Sequence, residues 1–208
     1  MKTGDKIKAI FFDVGGVCLS NGWDESSREK LAQDFDLNFQ ETEKIHDAIS
    51  EDFERGGITL ENYIDSVYLS QEQKKELSRQ DIIWFMKEQS KSYQSTFEIL
   101  EKLKQNGEYR LATINNESFA LNEFRIKNFS LTRYFDNFFS SCYLHMRKPE
   151  PQIFKTVIHI TQLQPNECLY IDDRIENIES ACNEGINCIH LTKVDELSES
   201  LKKYNIKF

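Results

Sequence analysis

Short apolar runs separated by longer amphipathic, charged stretches set the pattern of this chain. KAIFFD (Lys8 to Asp13), RLATINN (Arg110 to Asn116), a run near Phe138 to Ser141, CLYIDD (Cys168 to Asp173) and NCIHL (Asn187 to Leu191) are rich in β-branched and aromatic residues. Runs of this length bounded by turn residues read as buried strands, and the helical periods between them predict a parallel sheet with crossover helices. Helices are expected over Phe97 to Gly107, where the glycine supplies a left-handed C-cap, around Ser118 to Phe129, around Pro151 to Thr161, and finally near Ile175 to Glu184. The strand NCIHL is read as the last one.

From about Asp24 to Ser90 the pattern changes: it is charged, helical in period and almost free of strand-like runs. Leu31, Phe35 and Leu37 mark a first helix, and Ile45 and Ile49 a second. Leu60, Tyr63, Ile64 and Val67 mark a third, and Leu77, Ile82, Phe85 and Met86 a fourth. Gly56 and Gly57 form a turn before Thr59, the expected N-cap of the third helix. The stripe from Ile82 to Met86 reads as packing within this module or against its hinge. At 208 residues the chain suits one α/β domain with a sizeable insertion. The expected division is a Rossmann-like core over 1–22 and 91–208 and a four-helix insertion over 23–90.

Composition narrows the class of function. A net charge of -9 disfavours nucleic acid, whose binding depends on neutralising phosphates with Lys and Arg. The pattern holds no apolar stretch long enough for a bilayer and the start lacks the features of a secretory signal, so no membrane partner and a cytoplasmic location are expected. Cys18, Cys142, Cys168, Cys182 and Cys188 show no paired C-x-x-C spacing and read as reduced, structural residues. His46, His145, His159 and His190 show no metal-ligand spacing either.

Two of the apolar runs end in aspartate: the first in Asp13, the fourth in Asp172 and Asp173. Ligands of open α/β sheets collect at the carboxyl ends of strands, so the three carboxylates are expected at one edge. Carboxylates crowded in a cleft repel unless a cation lies between them, and an all-oxygen cluster suits a hard divalent ion, usually magnesium. One of the three is then free to act as a nucleophile. Two further stations fall between: RLATINN ends in the paired amides Asn115 and Asn116, and Lys148 in MRKPEP (Met146 to Pro151) supplies a cation before a helix.

These four stations, in this order and strand context, resemble the haloacid dehalogenase-like hydrolase superfamily, and within it the helical-capped phosphatases similar to α-glucose-1-phosphate phosphatase. The family's first motif, an apolar strand ending D-x-D-x-T/V, is matched by Asp13, Val14, Gly15, Gly16 and Val17. Its second, a strand ending in Ser or Thr and commonly Asn, is matched with Asn115 at the hydroxyl position and Asn116 after it. The third, Lys before Pro, is matched by Lys148 and Pro149, and the fourth, D-D-x-x-x-D/N, by Asp172, Asp173 and Asn177. The resemblance spans essentially the whole chain.

What the resemblance implies is a Mg2+-dependent phosphatase acting on a small phosphorylated metabolite, a sugar phosphate being favoured, with the helical insertion as a cap. Asp13 is then the nucleophile, and Lys148 neutralises it and holds a phosphoryl oxygen. Asp13, Asp172, Asp173 and the Gly15 carbonyl ligate magnesium. The amides of Asn115 and Asn116 and backbone N–H groups at Gly15 and Gly16 donate to phosphoryl oxygens. One departure stands out: Gly15 replaces the family's second motif-one aspartate, which protonates the leaving group and then activates water. General acid–base help is typically worth ~10²–10⁴ in rate. That gap and Asn115 make a catalytically silent binding protein one rival reading; a 2-haloacid dehalogenase, using the same aspartate against carbon, is another, opposed by the Asp172–Asp173 pair. Arg55, Arg147 and Arg174 could each meet a substrate anion, although a solvated or ion-paired arginine is the commoner case.

Overall fold

The computed structural model describes residues 6–70 and 76–208, so the first five positions of the expected core segment and residues 71–75 of the helical stretch lie outside the described residues. Five strands, β1 (Ala9–Phe12), β2 (Arg110–Asn115), β3 (Asn137–Ser140), β4 (Cys168–Asp172) and β5 (Asn187–His190), form one sheet in the order β3-β2-β1-β4-β5. All pairings are parallel. Parallel neighbours need crossovers, and helices supply them: α5 (Gln94–Asn106), α6 (Phe119–Asn128), α8 (Pro151–Thr161) and α9 (Ile175–Asn183).

Alternation along each strand divides the core in two. Ile10, Phe12, Leu111, Leu169 and Ile171 pack with Leu100 and Leu103 of α5 and with Leu197 and Leu201 of α10 (Leu197–Lys203). Ala9, Phe11, Ala112, Ile114 and Tyr170 face the other way, onto Ile153, Phe154 and Val157 of α8 and Ile178 and Ala181 of α9. A sheet covered on both faces explains why its strands read as continuous apolar runs. Helix α10 and the short α7 (Ser141–Leu144) are elements the sequence pattern did not signal. Gly107 closes α5 with φ 68°, the left-handed C-cap anticipated there.

The inserted helices α1 (Glu25–Phe35), α2 (Phe39–Glu54), α3 (Leu60–Ile64) and α4 (Arg79–Glu88) gather around a third cluster built on Leu31, Phe53, Tyr63, Ile64, Val67, Ile82 and Met86. Helix α3 runs on into a π-helical turn at Asp65–Leu69. Two apolar positions assigned by periodicity to helices fall just outside them. Leu37 follows the left-handed Asp36 that closes α1, and Leu77 precedes Ser78, whose side chain caps α4 in a reciprocal pair with Asp81. Leu77 still packs in the cluster with Ile82, the arrangement of a hydrophobic staple. No helix among the described residues is long and apolar enough to cross a membrane.

The chain leaves the sheet and returns to it through two adjacent linkers. Leu19 pairs with Ser92 in an antiparallel bridge, and the Ser20 hydroxyl donates to the Gln89 carbonyl at 2.7 Å and accepts from the Lys91 N–H at 2.9 Å. Arg125 of α6 spans both, donating to the Ser90 hydroxyl at 3.1 Å and to the Asn21 carbonyl at 3.0 Å.

Candidate active site

Sheet register brings the acidic stations together. Phe12 lies beside Ile171, so the next residues, Asp13 and Asp172, emerge side by side at the carboxyl ends of the two central strands. The strand order reverses here, because β2 and β3 lie on one side of β1 whereas β4 and β5 lie on the other. This is where an open α/β sheet leaves a crevice. Oxygens of Asp13, Asp172 and Asp173 come within 4.8 Å of one another.

Lys148 joins them. Its side chain is 2% exposed, and the ammonium lies 2.9 Å from Asp13 Oδ1 and 2.7 Å from Asp172 Oδ2. Asn116 places it: the amide oxygen accepts from the Lys148 N–H at 2.8 Å, and the amide nitrogen donates to the Lys148 carbonyl at 2.9 Å. Asp172 is held on every side, accepting from Lys148, from the Tyr170 hydroxyl, from the Arg174 N–H at 2.8 Å and from the Asn177 amide at 3.0 Å. Asp173 is held less completely. Asn21 donates to its Oδ2 at 3.4 Å, while its buried Oδ1 has no hydrogen-bond partner.

Electrostatics separates the two buried aspartates. Burial pushes Asp13 up to about 7, against the pull of the Lys148 charge and with the push of Asp172. Burial also pushes Asp172 upward, but the Lys148 ammonium and the surrounding donors outweigh it and hold the carboxyl below its ordinary value. Lys148, penalised by burial, is nonetheless raised by its two carboxylates. Three carboxylates gather around an ammonium that contacts two of them, so the cluster is an acidic oxygen site that a second, divalent cation would balance. The partnerless Asp173 oxygen fits that requirement.

The turn after Asp13 accommodates this crowding by omitting side chains. A Cβ on Gly16, at φ 72°, would sit 2.3 Å from the Asp173 carboxylate. The Gly16 N–H, expected to face a ligand, donates instead to the Leu19 carbonyl at 2.7 Å. Asn115 also differs from expectation. Its amide donates to Asn122 at 3.1 Å and accepts from the Ser140 hydroxyl at 2.9 Å, a buried network behind the site rather than a donor set facing the cleft. With its amide bonded to the Lys148 backbone, Asn116 lines the cleft chiefly as the holder of that loop.

Asp13 and Lys148 open on a cavity of about 510 Å³ whose opposite wall comes from α1 and α2, through Arg28, His46, Ser50 and Phe53. Burial, aided by Arg28, lowers His46 to about 4, so it is neutral there. Arg147 binds Glu54 at 2.8 Å and Glu51 at 3.0 Å, and Arg55 binds Glu150, fastening the end of α2 to the loop that carries Lys148. Arg28 pairs with Glu43 and Arg125 with Glu117, each within 2.8 Å. Arg174 lines the same cavity, and no carboxylate pairs with it among the described residues. The Glu117–Arg125 pair and Tyr170 were not legible in the sequence. Tyr170 looked like any aromatic of a buried strand, and nothing local links residues eight positions apart on different elements.

The haloacid dehalogenase-like hydrolase family matches residues 7–184. The chain belongs to that family. A haloacid dehalogenase family enzyme of Bacteroides thetaiotaomicron superposes with a TM-score of 0.75 at 25% identity, covering 89% of this chain and 93% of that one. The same enzyme has been solved in complex with magnesium and inorganic phosphate, where the TM-score is 0.71. Among curated relatives, a drimenol cyclase of Aspergillus calidoustus is 24% identical over 94% of this chain and 36% of its own length. A chloroplast flavin mononucleotide hydrolase of Arabidopsis thaliana is 30% identical over 36% of this chain and 31% of its own. The chain thus spans about a third of the length of these curated relatives. The fold class is that of the family, a parallel α/β core carrying inserted helices.

Proposed function

We propose that this haloacid dehalogenase-like hydrolase is a Mg2+-dependent phosphatase that hydrolyses a small phosphorylated metabolite, a sugar phosphate being the favoured class, through an aspartyl-phosphate on Asp13. The observation that carries the reading is the position of Asp13, at the base of the cavity with an ammonium 2.9 Å away and two further carboxylates beside it. The magnesium and phosphate complex of the Bacteroides relative and the hydrolase named for flavin mononucleotide support it.

In this mechanism the Asp13 carboxylate attacks phosphorus, the bond to the leaving oxygen breaks, and that oxygen takes its proton from solvent. Water then attacks the phosphoryl-aspartate, releases inorganic phosphate and restores Asp13. Lys148 opposes the burial that favours protonation of the nucleophile and stabilises charge on the transferred group, a role its two carboxylate contacts prepare. Asp13, Asp172, Asp173 and the Gly15 carbonyl are the groups that would hold magnesium, which supplies positive charge against the incoming phosphate. Asn116 positions Lys148, and Asn115 braces the end of β2. Residues 23–90 act as the cap domain over the core formed by 1–22 and 91–208, excluding water and reading the rest of the substrate.

Gly15 favours one second reading, a silent binding protein, because no carboxylate stands there to move a proton. Phosphate release from aryl and sugar phosphates, with and without Mg2+ and with Asp13→Asn as control, decides between them. Release that needs both Asp13 and magnesium is the expected result. Ligand binding without turnover by the wild type would leave only the binder.

A further inference from the structure

Of the polar side chains between β1 and the helical insertion, one lines the cavity without belonging to the acidic cluster. Asn21 lines the cavity together with Asp13 and Lys148. Two hydrogen bonds hold it, and its carboxamide closes the space beside Gly15. Its Oδ1 lies 2.9 Å from where a Cβ on Gly15 would stand, its amide nitrogen donates to Asp173 Oδ2 at 3.4 Å, and its carbonyl accepts from Arg125 at 3.0 Å. The space that any side chain at position 15 would enter is therefore already filled by a carboxamide from six residues downstream.

We propose that Asn21 is the substrate-contacting polar group on the leaving-group side of Asp13, occupying in space the position that Gly15 leaves empty. This assignment rests on the phosphatase reading above. A carboxamide neither gives up nor takes a proton at neutral pH, but it offers an N–H donor and a carbonyl acceptor together. It donates a hydrogen bond to the departing oxygen and later accepts one from the attacking water, orienting each while solvent supplies or removes the proton. Turnover then depends steeply on leaving-group acidity and still needs Asn21. The arrangement also explains the two glycines of the turn: one makes room for Asp173, the other for Asn21.

The experiment has two arms on the full chain. In the first, Asn21→Ala is compared with wild type on 4-nitrophenyl phosphate and on sugar phosphates across a magnesium titration. The expected result is kcat lower by about tenfold or more at saturating Mg2+, a fraction of the ~10²–10³ that removal of a preorganised donor can cost. The loss is expected to be larger for sugar phosphates, with the half-saturating magnesium concentration changed less than about threefold. Unchanged kcat overturns the assignment, and so does a loss that excess magnesium restores, since Asn21 would then act only through Asp173.

The second arm needs no turnover. Gly15→Ala should lower the thermal midpoint by about 2–4 °C or more in wild type and in the equal-volume Asn21→Asp background, and much less in Asn21→Ala, where the obstructing oxygen is gone. Equal shifts in all three backgrounds overturn the shared-volume claim. A wild type that releases no phosphate overturns the phosphatase reading and the role of Asn21 with it, whereas an active wild type matched by Asn21→Ala overturns the role alone.

Discussion

The Lys148 ammonium lies 2.9 Å from the Asp13 carboxylate, and the same buried nitrogen lies 2.7 Å from Asp172. One cation therefore serves two carboxylates that sheet register has already placed side by side. Removing it leaves both buried carboxylates without a countercharge, a change that costs ~3–5 kcal/mol for a broken buried pair. Lys148→Met is expected to lower stability by about that amount and phosphate release by ~10²-fold or more. Adding Asp13→Asn should recover part of the stability and none of the activity. Thermal unfolding and phosphate release on the single and double variants check this.

The two aspartates predict a pH dependence with opposite limbs. Asp13 titrates at about 7 in the folded chain against an ordinary 3.8, so between those values the native state holds a proton that the unfolded chain has lost. Stability of the metal-free protein should fall as pH rises through that window. Asp172 is held below 3.8, so the stability it contributes is present above that value and lost as pH falls through its folded value. The metal-free midpoint should peak at mildly acidic pH and decline toward neutrality. Magnesium, or Asp13→Asn, should remove the decline, which thermal scans across pH would register.

Asp173 bears the one oxygen of the cluster that is buried without a partner. Asp173→Asn should reduce carboxylate repulsion and leave the metal-free protein as stable or more so, while weakening magnesium binding by about tenfold or more. Calorimetric titration with magnesium is the direct measurement. Unchanged affinity would exclude Asp173 as a ligand.

Arg125 is buried against Glu117 and ties both linkers of the helical insertion to α6. Arg125→Met is expected to cost ~3–5 kcal/mol, because the buried Glu117 carboxyl loses its countercharge. Glu117→Gln in the same chain should recover much of that loss. Denaturant unfolding of the double-mutant cycle measures the coupling.

Arg147 reaches from the Lys148 loop to Glu51 and Glu54 of α2. Partly exposed pairs are worth little singly, so Arg147→Ala should change stability by less than about 1 kcal/mol. Its effect is expected on cap closure, as a several-fold rise in KM that high salt reproduces in the wild type. Steady-state kinetics against potassium chloride concentration would show it.

Much of this protein was legible along the chain. The apolar runs ending in Asp13 and in Asp172 and Asp173, the paired amides and the Lys148–Pro149 step are local signals, since a strand buried on both faces must be apolar and must end where its polar ligands begin. The helices of the insertion were readable from period, although Leu37 and Leu77 proved to lie just beyond helix ends that cap residues determine. Helix α10 was missed because seven residues with two buried leucines give too short a pattern.

The parallel sheet, the helical stretch and the three aspartates at strand ends follow from patterning within a few residues, so the chain announces them locally. Which donors face the cleft is set by packing between distant elements. Asn115 turns to Asn122 and Ser140, Gly16 donates to Leu19, and Asn21 fills the space beside Gly15. Those outcomes depend on which buried polar groups find partners across elements distant in sequence, and a hydrogen bond between such elements leaves no trace in local periodicity.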